Sequence, residues 1–306
     1  MQKPVKSKIY QHSISDSERW SAINFRDDDI VIATPSKAGT TRTQTIVAHL
    51  LFPRNDFPEP IQIMSEWVDN DRRPIEEVVA SLAEQPYRRF LKTHLPLDGT
   101  PYSEKAKYIM VCRDGRDIVM SLWNHCSNYS DLALARLQAN AKAMGREFPV
   151  SSKDVNVFWQ EWCTKGWFDW QHDGWPHWSD LHVMQSWWEY RHLPNIHLVH
   201  YANMLADTPS AIRDLAAYLA IEVDEERVAE IAEIVSFDNM KANNEKYVPS
   251  AGRGWVGGGD TFFNKGTNGR WQDEITAENL ALYDKAADRV LSPDCRHWTE
   301  NAGPLP

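Results

Sequence analysis

Three stretches of this chain place cationic, hydroxyl and imidazole side chains where they can bind an anion or move a proton. In "PSKAGTTR" (35–42), Lys37 offers a mobile positive charge, Gly39 lets the backbone approach a ligand closely, and Thr40 and Thr41 add hydroxyl donors. A helix opening near Thr40 would present first-turn amides that have no internal partner, at the positive end of its dipole, and such a turn favours an anion. The same stretch also reads as a plain βα turn with threonine caps. Its spacing departs from the nucleoside-triphosphate loop GxxxxGK[ST]: lysine precedes the glycine here, and the first glycine is missing. In "CRDGRDIVMSLWNH" (112–125), Arg113 can grip a phosphate through two parallel hydrogen bonds, and Ser121 can donate a third. Arg113 taken alone also reads as a surface ion pair. Asp114 suits a helix cap, and Asp117, three residues on, resembles the second half of a capping box. In "FLKTHLP", His94 follows an apolar run and Lys92 lies two residues before it. A histidine at the carboxyl end of a strand is placed to accept a proton near neutral pH.

The elements that would position these groups are legible around them. Short, nearly continuous apolar runs at 29–34, 89–93, 107–112 and 196–201 suit strands buried on both faces of a parallel sheet. Helical stretches follow: "TRTQTIVAHLL" after the first run, "GRDIVMSLWNHC" after the third, and "DTPSAIRDLAAYLA" after the fourth. In the last of these, Thr208 is the expected N-cap with Pro209 at the first helical position. "VDEERVAEIAEIV" comes next, with Asp224 as its cap. The pattern predicts an α/β fold, a single domain over 1–306 (core about 28–300) with a central parallel sheet flanked by helices and a phosphate-binding type of turn after its first strand. Such sheets bind ligands beyond the carboxyl ends of their strands, where all three stretches fall. The glycine-rich segment 248–271 reads as irregular, either a mobile loop over the site or an ordinary surface loop.

Bulk composition narrows the function classes. With 42% hydrophobic and 25% charged residues among 306, the chain reads as globular. Neither a membrane-length apolar run nor an N-terminal signal core is present, so a cytoplasmic protein without a membrane partner is expected. Four widely spaced cysteines suggest neither a zinc knuckle nor a disulfide framework, and no side-chain spacing asks for a metal. A formal net charge of −10 argues against a nucleic-acid partner, so any anion site is local. Tryptophan is abundant, fourteen in all, with Trp159, Trp162, Trp167, Trp170, Trp175, Trp178, Trp187 and Trp188 in one segment. These rings can be core packing or the walls of an aromatic pocket.

Taken together, "PSKAGTTR", "LKTHLP", "YIMVCRDGRDIVMSLWNH" and "FFNKGTNGRW" resemble, in order and spacing, the sulfotransferases that use 3′-phosphoadenosine 5′-phosphosulfate (PAPS), especially the cytosolic small-molecule type. "HYANM", "VSFDNM" and "HVMQSWWEYR" are lesser echoes. The resemblance implies that Lys37 and the amides of Ala38, Gly39, Thr40 and Thr41 cradle the 5′-phosphosulfate. It implies that Arg113 and Ser121 hold the 3′-phosphate, with Lys265 and Gly266 covering it, and that Tyr201, Ser236 and Phe237 frame the adenine. His94 would be the catalytic base, with Lys92 assisting electrostatically and Ser121 restraining Lys37 until acceptor arrives. The donor would be PAPS, the product 3′,5′-bisphosphoadenosine (PAP), and the acceptor a hydroxyl on a small molecule.

The chain departs from the family pattern at several positions and so resembles a divergent, bacterial-type member. Ser36 separates the usual proline-lysine pair, and Arg42 replaces a tryptophan that packs on adenine; an arginine can stack on a base as well. Asn264 replaces an arginine, a charge that Arg270 can restore, and Val235 replaces a threonine. The family's C-terminal dimer motif is not recognisable, which leaves the oligomeric state open. Two rival readings are a small-molecule kinase or nucleotidase, which lacks its lysine-loop spacing here, and a nucleotide-binding protein without chemistry. For the acceptor, the tryptophan-rich segment favours an apolar alcohol or phenol over a sugar.

Overall fold

The computed structural model describes residues 3–248 and 252–306. The four apolar runs become β1 (Ile30–Ala33), β2 (Phe90–Thr93), β3 (Lys107–Cys112) and β4 (Ile196–His200). They form one parallel sheet in the order β2-β1-β3-β4, with Ile30 opposite both Phe90 and Lys107, and Tyr108 opposite Ile196. Successive side chains point to opposite faces of a strand. Val31, Ala33, Leu91, Tyr108 and Met110 therefore pack into one apolar core, and Ile30, Ile32, Phe90, Ile109 and Val111 into another. Burial on both faces is why these strands read as continuous apolar runs and not as alternating ones. β1 lies between β2 and β3, so the chain leaves β1 to one side and returns to the other. The crevice beyond the carboxyl ends of β1 and β3 is the topological switch point.

Helix α1 (Thr40–Leu51) follows β1, and α2 (Gly115–Ser127) follows β3 with Asp114 as its cap, accepting from the Arg116 amide. Farther along lie α3 (Asp180–Trp188), α4 (Thr208–Leu219) and α5 (Glu225–Ile234), the last capped by Asp224 as its sequence suggests. The expectation for α4 needs correction. Its cap is Asp207, whose carboxylate accepts from the Ser210 amide, while Thr208 is already helical. Both residue types cap well, and the adjacent carboxylate is the stronger acceptor.

Tryptophan chiefly builds core. Trp159, Trp162, Trp167, Trp178, Trp187 and Trp188 are each at most 1% exposed, whereas Trp170 is half exposed. The buried indoles of Trp159 and Trp187 donate to the carbonyls of Asn279 and Leu95. Of the glycine-rich segment, 249–251 lie outside the described residues. The remainder is less irregular than its composition suggests, with short helices at Gly258–Phe262 and Trp271–Glu274.

Candidate active site

Beyond β1 the chain turns through two residues with positive φ, Lys37 at +61° and Gly39 at +101°, before α1 opens at Thr40. Glycine is required at the second of these. A Cβ there would meet Cδ2 of Tyr201 at 2.6 Å, in a backbone conformation that L side chains rarely adopt. Ser36, the residue inserted between proline and lysine, donates its amide to Oδ1 of Asp180 at 2.7 Å. Asp180 is fully buried, and burial pushes its carboxyl up to about 7. Arg113, leaving β3, donates Nη1 to the Lys37 carbonyl (2.9 Å) and Nη2 to Oδ1 of Asn268 (2.8 Å), and stacks 4.7 Å from the Tyr201 ring centre. Its buried Nε has no partner among the described residues. The Lys37 amine sits 3.4 Å from Nδ1 of His125 and 4.2 Å above the Phe262 ring. Burial, and then the charge of Arg113, lower it to about 8.

His94 lies one residue past β2, with Nδ1 2.9 Å from the Thr34 carbonyl. A carbonyl only accepts, so Nδ1 carries the hydrogen and Nε2 keeps a free lone pair. The Thr34 hydroxyl links Nδ1 (3.1 Å) to the Thr40 hydroxyl (2.6 Å), tying the imidazole to the first residue of α1. Trp67 stands edge-on to the ring at 4.9 Å, and the Trp178 indole donates to the His94 carbonyl at 2.8 Å. Burial, and then Lys92, hold the imidazole well below its usual range, so it is neutral and basic at Nε2 near pH 7. The Lys92 amine lies 4.4 Å above the Trp67 ring and is lowered to about 7 by burial and then by Arg72.

These groups share one cavity of about 530 Å³. Lys37, Gly39, Thr40, Thr41, Lys92, His94, Arg113, Ser121 and Tyr201 border it, as do Arg42, Phe237, Asn264, Lys265 and Gly266. Two residues singled out in the sequence do not. The Ala38 side chain is packed in the core, and the Ser236 hydroxyl caps the short helix Phe237–Ala242, leaving Val235 on the cavity wall. Arg42 borders the cavity but donates Nη2 to the Thr208 hydroxyl at 2.6 Å. Arg270 pairs with Glu274 at 3.3 Å. Asp117 is not the capping-box partner that its spacing suggests: Oδ1 accepts from the Gly269 amide at 2.7 Å, docking the distant glycine-rich segment onto α2.

Several contributors were not evident from local motifs. Asp180, Trp67 and His125 act through contacts far apart in sequence, although His125 closes the quoted "SLWNH" and sits one helical turn beyond Ser121. Lys241 reaches the Asn264 carbonyl at 3.4 Å, bringing a cation to the place where the family pattern has an arginine. Of the eight clustered tryptophans, only Trp178 borders the cavity, joined by Trp67 and Trp255 from elsewhere.

The chain matches a family model described as Sulfotransferase domain over residues 27–293. It is 33% identical over 311 residues to a glycolipid sulfotransferase of Mycobacterium bovis (strain BCG / Pasteur 1173P2), covering 95% of this chain and 93% of that protein. To the luciferin sulfotransferase of Photinus pyralis it is 26% identical, covering 90% of this chain and 75% of the relative. Two solved structures share the fold. Mouse sulfotransferase SULT7A1 complexed with PAP superposes with a TM-score of 0.70 at 20% identity over 94% of this chain and 93% of that one. Retinol dehydratase in a complex with retinol and PAP gives 0.68 at 21% identity, over 90% and 84%. The family match spans most of the chain, and the 33% relative is aligned over nearly its whole length, so this chain belongs to the sulfotransferase family.

Proposed function

We propose that the protein transfers a sulfuryl group from PAPS to a hydroxyl on a small-molecule acceptor, with PAP as the second product. The observation that carries this reading is the juxtaposition of a neutral, oriented imidazole with the amine of Lys37 and the α1 N-terminus on one cavity. The cavity also suits a donor of high negative charge. Lys37, Arg113 and Lys265 have no carboxylate within ion-pair distance among the described residues, and the buried Arg113 Nε has no partner. The first amides of α1 and the Lys37 amine would hold the 5′-phosphosulfate. Arg113, Ser121 and Lys265 would hold the 3′-phosphate, and Tyr201 and Phe237 would flank the adenine. In the reaction, Nε2 of His94 takes the acceptor proton as the acceptor oxygen bonds to sulfur. The bond from sulfur to the bridging oxygen breaks, and its electron pair stays on the phosphate, where Lys37 and the helix amides meet the growing charge. Lys92 raises the positive potential beside the base.

Trp67, Trp178, Trp255 and Tyr129 on the cavity wall support an acceptor with an apolar or aromatic body, a phenol or apolar alcohol. The glycolipid sulfotransferases among the relatives favour a second reading, a hydroxyl on the polar end of an amphiphile. The test is an acceptor screen with PAPS, reading PAP release, with γ-labelled ATP as a parallel donor. Sulfation is expected, and His94→Ala should cut turnover by roughly 10²- to 10⁴-fold, the usual worth of a general base. Label passing from ATP would favour a kinase, and near wild-type sulfation by His94→Ala would remove His94 from the base role.

A further inference from the structure

We propose that Asp180 is a positioning residue for the transfer: through the Ser36 amide it holds the turn that presents Lys37, and it does so from the helix that also holds the His94 segment. This rests on the sulfotransferase reading above and adds a residue to the same site.

The residue just before Lys37 is Ser36, where the family pattern has proline. Proline has no amide hydrogen, so only a departure of this kind gives the turn a donor at that point. The donor is engaged: the Ser36 amide reaches Oδ1 of Asp180 at 2.7 Å, across 144 residues. On the other side of Lys37, its own carbonyl accepts from Arg113 Nη1 at 2.9 Å. The two bonds straddle a lysine whose φ of +61° is uncommon for a residue that carries a Cβ. A conformation of that kind persists where surrounding contacts over-determine it, and these two long-range bonds act on either side of it.

Packing alone does not account for a carboxyl at this position. Asp180 is fully buried, and its Oδ2 has no hydrogen-bond partner among the described residues. Burial pushes the carboxyl up to about 7, while the Ser36 amide, the Trp162 indole and the Ser36 hydroxyl draw it down, and Asp173 adds to the rise. A leucine in the same place would carry no such desolvation cost. An acid in the first turn of a helix ordinarily serves that helix's own free amides. In α3 the Ser179 hydroxyl does this, accepting from the His182 amide at 2.9 Å, and Asp180 is directed to another segment.

The same helix is docked on the segment that follows β2. The indoles of Trp178 and Trp187 donate to the carbonyls of His94 (2.8 Å) and Leu95 (3.2 Å), and the Leu97 amide donates to the Ser186 hydroxyl (2.9 Å). Trp178 and Asp180 are two residues apart, so one short stretch at the start of α3 is bonded both to His94 and to the residue before Lys37. The turn and the imidazole thereby share one support.

The experiment measures PAP affinity, urea unfolding and amide hydrogen exchange over residues 35–41 in wild type, Asp180→Asn and Asp180→Leu. It is run at pH 8, above the carboxyl's value of about 7. Asn keeps an acceptor for the Ser36 amide, whereas Leu keeps the branched shape and removes the acceptor. Asp180→Leu should weaken PAP binding by roughly 10- to 100-fold, the worth of a hydrogen bond to a charged group. Its urea midpoint should stay at or above that of wild type, because the buried carboxyl is gone. Asp180→Asn should bind PAP nearly as wild type does. A residue that merely packs would not move affinity and stability in opposite directions. Equal PAP affinity in wild type and Asp180→Leu overturns the proposal, and so does an Asn variant as weak as the Leu variant. If Asp180→Leu does not fold, Asp180→Ala, too small to clash, is read for PAP affinity in the same way. Wild-type protein that binds no PAP would remove the donor reading instead. Exchange in the ligand-free proteins then decides: faster exchange at Ser36 with Leu but not with Asn supports the hold, and equal exchange overturns it.

Discussion

The proposed role of His94 as base turns on the ring nitrogen bonded to the Thr34 carbonyl. The Thr34 carbonyl at 2.9 Å from Nδ1 selects the tautomer, and burial keeps the ring neutral, so the lone pair at Nε2 is available without a prior proton loss. The turn proposed to hold the donor depends on a single atom that is absent. At Gly39 any Cβ would lie 2.6 Å from the Tyr201 ring and demand a positive φ of 101° from an L residue. Gly39→Ala should therefore cost about 1–3 kcal/mol of stability in urea unfolding and weaken PAP binding by at least roughly 10-fold, because the displaced Tyr201 also supports Arg113. Unchanged PAP affinity in a folded Gly39→Ala protein would show that the turn does not contact the donor.

At the scale of elements, α2 does more than carry Ser121. Its Asp117 holds the Gly269 amide, and Arg113, just before the helix, holds Asn268, so the segment bearing Lys265 and Gly266 is pinned at two points. Asp117→Ala should free one pin, a hydrogen bond to a charged group worth about 1.5–3 kcal/mol. The expected result is a higher KM for PAPS with smaller change in kcat, and faster proteolysis between 252 and 270, with Asp117→Asn intermediate because it keeps an acceptor. Equal protection of that segment in wild type and Asp117→Ala would refute the pin. The helix ends show how far local spacing reaches. Asp114 and Asp224 are caps because a carboxylate two or three residues from a free amide needs nothing else. Asp117 also has capping spacing but is claimed by an amide 152 residues away.

Over the whole molecule, the cavity is assembled at the expense of charge. His12, His94 and His177 are buried and His125 half-buried, and desolvation holds all four below their usual range. The folded state thus binds fewer protons than the unfolded one once pH falls below the ordinary histidine value of about 6.5, so stability is retained above that pH and lost as pH drops through it. The melting temperature should fall steeply between about pH 6.5 and 5, and less steeply in a His12→Gln variant, which lies outside the cavity. A melting temperature flat across that interval would mean that the imidazoles take up protons without unfolding. By itself the sequence determined the parallel sheet, the glycine turn after its first strand, the place of His94 at a strand end, and the helix that carries Ser121. Each of these rests on periodicity or on spacing within a few residues, where geometry follows directly from the backbone. The tertiary structure alone decided that Asp180 ties down Ser36 across 144 residues, and that His125 meets Lys37 across 88. It also decided that six of the eight clustered tryptophans fill the core, and that Arg73 and Arg136 find carboxylate partners while Arg72 has none within ion-pair distance among the described residues. Which charges a fold neutralises, and which it leaves for a ligand, depends on packing between distant segments, and no local pattern records it.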